Sequence, residues 1–589
     1  MENSNLYNIV PKVKVNNLLS QKTIYLPQNI KYGINNSIPA QGYVLHIKPE
    51  EILIDSKDEA GKYYAKKTLE QLVTNDNSGE QKLPLGIIED WPSIKTRGVM
   101  LDISRCKVPK LKTLFSIIDI LSNLKYNHLQ LYTEHTFAYS NHKTVWEDSS
   151  PLSHEDITQI QNYCKDHFIE LSANQNTLGH MERWLIHDQY KHLGLKIGNV
   201  LSPYGLMHPA TTLNPTNPEA KMLVLDLLEE LVPLFSSDKV NIGLDEPFEL
   251  EPNNYLEWGN YLNYLAKSEP LKNKKILIWS DMLNIYPKLI EQVPENAVVL
   301  EWGYEYNSPF AANLERLSKA NLEHWVAPGT SSWLSITGRL TNCIENTKLA
   351  VTNAINYEST GFLMTDWGDF GHLQWWPFSW PGIVAGGELS WCGVQLLASY
   401  NLDVLKQSIS QVVYPKTAKS LQLSDILLSV SDVNSKIKCQ FPNLSTLALS
   451  LYLPQLHTGS GLTTNLELSD IDNCLEILED NRVKLNQVEI SADLEQLRCG
   501  IELMELILRD NKYRLNSTGH IKDVPTKLRK SLSEELAELI TKHRQFWSQS
   551  YQIGGITESL EWLKNLHKTY ETGFADPNWS GPLKILHNS

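Results

Sequence analysis

Between Arg97 and Tyr400 the chain alternates short apolar β-type runs with helix-length segments eight times, and no other feature restricts its fold as severely. The β-type runs cover residues 98–104, 127–134, 168–174, 239–245, 275–281, 297–303, 322–327 and 361–367. Between them lie segments long enough for crossover helices, such as 110–124, 153–167 and 218–235. Strands that alternate with helices form a parallel sheet. Eight units in roughly 300 residues therefore predict a closed (β/α)8 barrel, an α/β fold of the TIM-barrel type. A doubly wound open sheet would carry a glycine-rich phosphate turn after its first strand, and Ser104-Arg-Cys-Lys-Val-Pro109 is no such turn.

The flanks read differently. Residues 1–92 form a small N-terminal α+β domain, in which Tyr43-Val-Leu-His-Ile47 and Ile52-Leu-Ile54 alternate as paired strands. Tyr64, Leu69 and Leu72 then mark the apolar face of a helix over 58–73. The barrel occupies 93–400. A C-terminal helical region follows over 401–589, where Leu494, Leu497, Ile501, Met504 and Leu508 recur at helical spacing, as do Leu528, Leu532, Leu536, Leu539 and Ile540. Acids and bases mix on the polar faces of these helices, which suits core packing, and an oligomer built through them is a further use. Residues 574–589 are predicted to be irregular.

Charge and composition exclude several partners. With 53 Lys and Arg against 68 Asp and Glu, the net charge of −15 offers no basic surface for nucleic acid. No apolar run approaches the roughly 18 residues of a membrane span, so no membrane partner is expected. The start, Met1-Glu-Asn-Ser-Asn-Leu-Tyr7, lacks the basic and apolar parts of a secretory signal, and a cytoplasmic location is the expectation. Seven scattered cysteines without C-x-x-C spacing read as reduced thiols. No H-E-x-x-H pattern occurs, and neither a metal nor another cofactor is expected.

A barrel of this kind carries its chemistry at the C-terminal strand ends. Polar and aromatic residues collect there: Glu134-His135, Asn174-Gln-Asn176 with Gly179-His180, Asp245-Glu246, Trp279-Ser-Asp281, Glu301-Trp-Gly303 and Asp366-Trp-Gly-Asp369. Adjacent acids beside tryptophans suit glycoside hydrolysis: one acid protonates the leaving oxygen, a second carboxylate supports positive charge at the anomeric carbon, and flat rings hold the sugar. Trp279, Trp302, Trp367, Trp375, Trp376, Trp380 and Trp391 crowd the second half of the barrel. His180 is placed to bond Glu134 across the pocket floor.

The segments Arg97-Gly-Val-Met-Leu-Asp-Ile-Ser-Arg105, Gly179-His180, Ile242-Gly-Leu-Asp-Glu246 and Trp367-Gly-Asp369 resemble glycoside hydrolase family 20, the β-N-acetylhexosaminidases, in a divergent branch. The resemblance implies exo-acting retaining hydrolysis of terminal GlcNAc or GalNAc from an amino-sugar oligosaccharide or glycoconjugate, in which the substrate's own acetamido oxygen attacks and forms an oxazolinium ion. It implies Glu246 as general acid and base, and Asp245 as the group that orients the acetamido N–H. Trp279, Trp302 and Trp367 would wall the acetamido pocket and ring, Arg97 and Asp369 would bind sugar hydroxyls, and Glu134 and His180 would support Glu246. The family's His-x-Gly-Gly-Asp-Glu pattern is altered to Asn241 and Leu244 here. Thr330 stands where the family commonly supplies a tyrosine, so Tyr304 or Tyr306 would have to substitute. Arg97 stands at the start of the first strand, the end opposite the site. A conventional retaining glycosidase on sugars without an acetamido group, or a catalytically silent sugar-binding protein, are the alternatives.

Overall fold

The computed structural model describes residues 8–582 apart from 27–28, 76–77, 202–204, 416, 418 and 489–491. Its centre is a closed eight-stranded parallel barrel. In chain order the strands are Thr96–Asp102, His128–Tyr132, Glu170–Asn174, Lys239–Asn241, Lys275–Trp279, Ala297–Trp302, Glu323–Ala327 and Gly361–Asp366, and the last pairs back onto the first. All eight predicted strands are present. Their ends differ most at the fourth, predicted over 239–245, whose ladder stops at Asn241. Gly243 at φ 70° and Leu244 at φ 68° bend the backbone there out of the extended region.

Alternate residues of most strands fall into two separate apolar cores, as a pleated strand buried on both faces requires. Val99, Leu101, Ile276, Ile278, Val299, Val326, Phe362 and Met364 join the large core shared with the surrounding helices. Met100, Leu277, Val298, Leu300, Trp325 and Leu363 form a second cluster, which we place inside the barrel. The interior is not wholly apolar: Asn174 and Asn241 each donate from Nδ2 to Gln130 Oε1 at 2.9 Å. Asn241 is satisfied at the end of the fourth strand and holds the turn above it, since Gly243 N–H donates to its Oδ1 at 3.0 Å.

The N-terminal sheet has the order Val15–Tyr25, Gln81–Asp90, Tyr43–Ile47, Ile52–Ser56, Ile30–Ile34. Helix Glu59–Leu72 covers it with Tyr64, Ala65, Thr68, Leu69 and Leu72 buried, and Asp58 caps it by accepting from Gly61 N–H. The C-terminal region is helical, dominated by Leu468–Leu485, Ala492–Leu515, Thr526–Ser550 and Ile556–Thr572. Leu494, Leu497, Ile501, Met504 and Leu508 are all buried, as their spacing predicted. Residues 574–582 are irregular, and the rest of the predicted irregular tail lies outside the described residues. No helix among the described residues is long and apolar enough to cross a membrane. All seven cysteines are unpaired, and all but Cys439 are buried.

Candidate active site

The acids sit on a strained turn that the fold holds from three sides. After Asn241 the backbone passes through left-handed conformations at Gly243, Leu244 and Glu246 (φ 47°), which for a non-glycine residue costs about 1 kcal/mol each. Leu244 is fully buried, and its carbonyl accepts from Trp258 Nε1 at 2.8 Å. Glu246 N–H donates to Asp281 Oδ2 at 2.9 Å. On the third side Gly179 lies so close that a Cβ there would come within 2.2 Å of the Asp245 carbonyl oxygen. Only glycine lets the third-strand loop, with His180, approach the acids this closely.

His180 bridges the pair. Its Nε2 lies 3.2 Å from Asp245 Oδ2 and 3.3 Å from Glu246 Oε2, while its Nδ1 lies 3.2 Å from Arg105 Nη2. Burial opposes charge on His180, yet Asp245 and Glu246 outweigh it and raise the imidazole well above its usual value. Burial likewise works against Asp245, and His180 nonetheless holds its carboxyl below the usual range. Asp245 is thus poised as an anion, with its Oδ1 buried and without a protein partner. The expected pairing of His180 with Glu134 is a long ionic contact, with Nδ1 3.9 Å from Glu134 Oε1 and beyond hydrogen-bond reach. Glu134 instead accepts from Tyr132 OH at 3.0 Å and pairs with Arg105 Nε at 3.3 Å, and burial pushes it up to about 7.

The arginine of the site is Arg105, which corrects the expectation for Arg97. Arg97 is fully buried at the opposite end of the barrel, where it donates to the carbonyls of Ile94, Lys95 and Lys125 and to Gln41 Oε1. It bonds the N-terminal domain to the barrel and cannot reach the mouth. Arg105 lies beyond the C-terminal end of the same strand. Its guanidinium sits over the rings of Tyr132 (4.8 Å) and Trp367 (5.2 Å), donates to Asp102 Oδ2 at 3.2 Å, and faces Asp369 at 3.9 Å. Both arginines belong to the same nine-residue motif, so the end of the strand, rather than the motif, was the signal that distinguished them. Asp369 is partly exposed beside Arg105, and burial pushes its carboxyl up to about 6.

Three of the predicted tryptophans form one wall. Trp279 and Trp367 lie 6.1 Å apart, and Trp302 stacks on Tyr304 at 5.2 Å. Trp367 Nε1 donates to Tyr304 OH at 2.9 Å, whereas Trp279 Nε1 is buried without a protein partner. Trp391 is elsewhere, donating to Asp90 beneath the barrel, and Trp375 packs against His543 of the C-terminal region. Thr330 donates to Asp366 Oδ1 at 2.6 Å, and Tyr306 points to solvent with 62% exposure. Of the residues considered for the missing tyrosine, Tyr304 alone stands in the wall.

Asp281 is a further acid under the pair. Its Oδ1 is buried without a partner, and burial first, then Asp245, pushes its carboxyl up to about 8. A proton retained in the folded state but lost from the unfolded chain near pH 4 makes stability fall as pH rises from about 4 to about 8. Asp281→Asn keeps an acceptor for Glu246 N–H and removes that proton. Its stability relative to the wild type, followed by thermal melts, is expected to gain between pH 5 and pH 8 by roughly 3–4 kcal/mol. A difference that does not change with pH would contradict a neutral Asp281.

A closed barrel with paired acids, a bridging histidine and an aromatic wall at its C-terminal mouth is the architecture of a glycoside hydrolase. The catalytic-domain model of glycosyl hydrolase family 20 matches residues 95–350, and the family's domain 2 matches residues 10–91. The chain belongs to glycosyl hydrolase family 20. Among curated relatives, β-hexosaminidase subunit alpha of Bos taurus is 27% identical over 30% of this chain and 34% of its own. That of Mus musculus is 26% identical over 35% of this chain and 40% of its own. The chain thus spans little more than a third of the length of these relatives. Among solved structures, the β-N-acetylhexosaminidase of Bacteroides fragilis superposes with TM-score 0.57 at 18% identity, covering 69% of this chain and 95% of that one. Flavobacterium johnsoniae chitobiase superposes with TM-score 0.58 at 16% identity, covering 97% of this chain and 100% of that one. At these identities the structural likeness is one of fold.

Proposed function

We propose that the protein is an exo-acting β-N-acetylhexosaminidase that removes terminal GlcNAc or GalNAc by substrate-assisted catalysis. The observation that carries this reading is that one imidazole, His180, holds both Asp245 and Glu246 from the same side. Adjacent residues of one turn that share one imidazole suit a proton donor beside a positioning anion, which supports this reading over schemes in which two carboxyls face each other across a sugar. Glu134 is held by Arg105 and Tyr132, and burial raises the Asp281 carboxyl to about 8. In the proposed reading, which the family resemblance supports, the nucleophile is the substrate's own acetamido oxygen.

In this mechanism Glu246 gives its proton to the glycosidic oxygen as the bond from C1 to that oxygen breaks, and the carbonyl oxygen bonds to C1. Asp245 accepts from the acetamido N–H with its unpaired Oδ1 and faces the charge of the oxazolinium ring. Glu246 then takes a proton from water as the water oxygen bonds to C1 and the ring reopens. Trp279, Trp302 and Trp367 enclose the acetamido group and the sugar ring, and Arg105 and Asp369 bind its hydroxyls.

The experiment compares aryl β-N-acetylglucosaminide with the matching aryl β-glucoside, and adds a thiazoline analogue of the oxazoline. Turnover of the acetamido substrate alone, with competitive inhibition by the thiazoline, is the expected result. Equal turnover of the glucoside would replace this reading with a carboxylate nucleophile, and binding without release of aglycone would replace it with a sugar-binding protein.

A further inference from the structure

The loop that carries Asp369 would not hold its shape alone. Phe370 (φ 58°), Gly371 (φ 80°) and His372 (φ 51°) follow one another in the left-handed region, a run that L-residues adopt only when their surroundings impose it. The surroundings come from the C-terminal helix Ile556–Thr572. The Phe370 ring stacks on Trp562, with centroids 4.9 Å apart and planes 17° from parallel, and Tyr452 meets it edge-on at 5.6 Å. The Gly371 backbone lies flush on the same indole, so that a Cβ would come within 2.4 Å of Trp562 Cδ1.

The start of this helix reaches three more loops of the barrel mouth. Glu558 pairs with Arg183, three residues beyond His180, at 2.6 Å. Gly554 N–H donates to Ser150 Oγ at 3.0 Å in the loop after the second strand. Gly555 is pressed against Cys106, next to Arg105, where a Cβ would come within 2.0 Å of the Cys106 carbonyl oxygen. Just before the helix, Gln552 N–H donates to Val108 O at 2.8 Å, and Lys110 N–H donates to Ser550 O at 3.0 Å. Buried Lys107 then links the first and last loops by donating to His372 O (3.1 Å) and Gln374 O (2.7 Å).

We propose that residues 550–562 clamp the rim of the pocket, and that Trp562 is a positioning residue that sets Asp369, and with it the hydroxyl-binding end of the sugar site. Trp562 acts through Phe370 and does not touch substrate. The clamp serves specificity more than chemistry, because Asp245 and Glu246 are held separately by the fourth strand, Asp281 and Trp258. The assignment of a sugar to this end rests on the function proposed above, whereas the clamp itself can be tested without turnover.

The test uses the full-length chain with Trp562→Ala, Phe370→Ala and the double variant. Hydrogen exchange should quicken at 368–374 in each variant while 239–245 keeps its protection. The KM for aryl N-acetylglucosaminide should rise about tenfold with kcat within about twofold, a loss confined to ground-state and transition-state binding alike. Trp562→Phe should restore most of the KM. Because Trp562→Ala already removes the contact that Phe370→Ala removes, the double variant should be no worse than Trp562→Ala alone. Unchanged exchange at 368–374 in Phe370→Ala, a partly exposed position expected to fold, would overturn the clamp. So would additive losses in the double variant. A wild type with no activity on N-acetylhexosaminides would sink the proposed function and leave the exchange result to decide the clamp.

Discussion

Glu246→Gln is expected to lower kcat/KM for a disaccharide of N-acetylglucosamine by about 10³–10⁴-fold, the upper end of what a positioned general acid contributes. The substitution keeps the size of the side chain and leaves the backbone bond from Glu246 N–H to Asp281 untouched, so the site's geometry should survive. What is lost is the proton for the leaving oxygen. The loss should therefore shrink as the leaving group improves, and an aryl glycoside with a strongly acidic phenol should be cleaved far less impaired than the disaccharide. A rate series over leaving groups of graded pKa reads this directly. A loss independent of the leaving group, or no loss at all, would remove Glu246 from the role of acid.

Asp245→Asn should cost roughly 10²–10³-fold in kcat, the usual scale for removing one preorganised group that faces transition-state charge. Its second consequence is a change in stability with a defined sign. His180 is raised above its usual pKa by Asp245 and Glu246 against the effect of burial. A raised histidine contributes stability that is fully present below its unfolded value, near pH 6.5, and that is lost as pH rises through the folded value. The neutral amide of the variant cannot supply the negative charge, so its deficit should be larger at pH 5.5 than at pH 9, up to roughly 3–5 kcal/mol for a broken buried pair. Thermal melts at the two pH values measure it. An equal deficit at both would show that Asp245 does not sustain the charge on His180.

Much of the site was legible because strand ends are legible. Asp245, Glu246, His180, Trp279, Trp302, Trp367, Glu134 and Asp369 all lie at or just past predicted strand ends, and the closed barrel brings those ends to one mouth. Arg97 failed for the same physical reason: it begins its strand, and the barrel sends it to the far end, into the seam with the N-terminal domain. Tyr132 and Asp102 end their strands too, yet no local pattern tells that they bond Glu134 and Arg105.

Periodicity alone determined that this chain would build a parallel barrel between a small α+β unit and a set of helices, because alternating strands and helices bury their apolar faces in few other ways. It also put two adjacent acids just after the fourth strand, which itself stops at Asn241. Only the tertiary structure decided how those acids differ. The pairing of His180 with both, the burial that raises the Asp281 carboxyl and the packing of the C-terminal helix on the Asp369 loop all depend on contacts between residues far apart in sequence. The free energy of such contacts depends on distance and burial, which no local pattern of residues records.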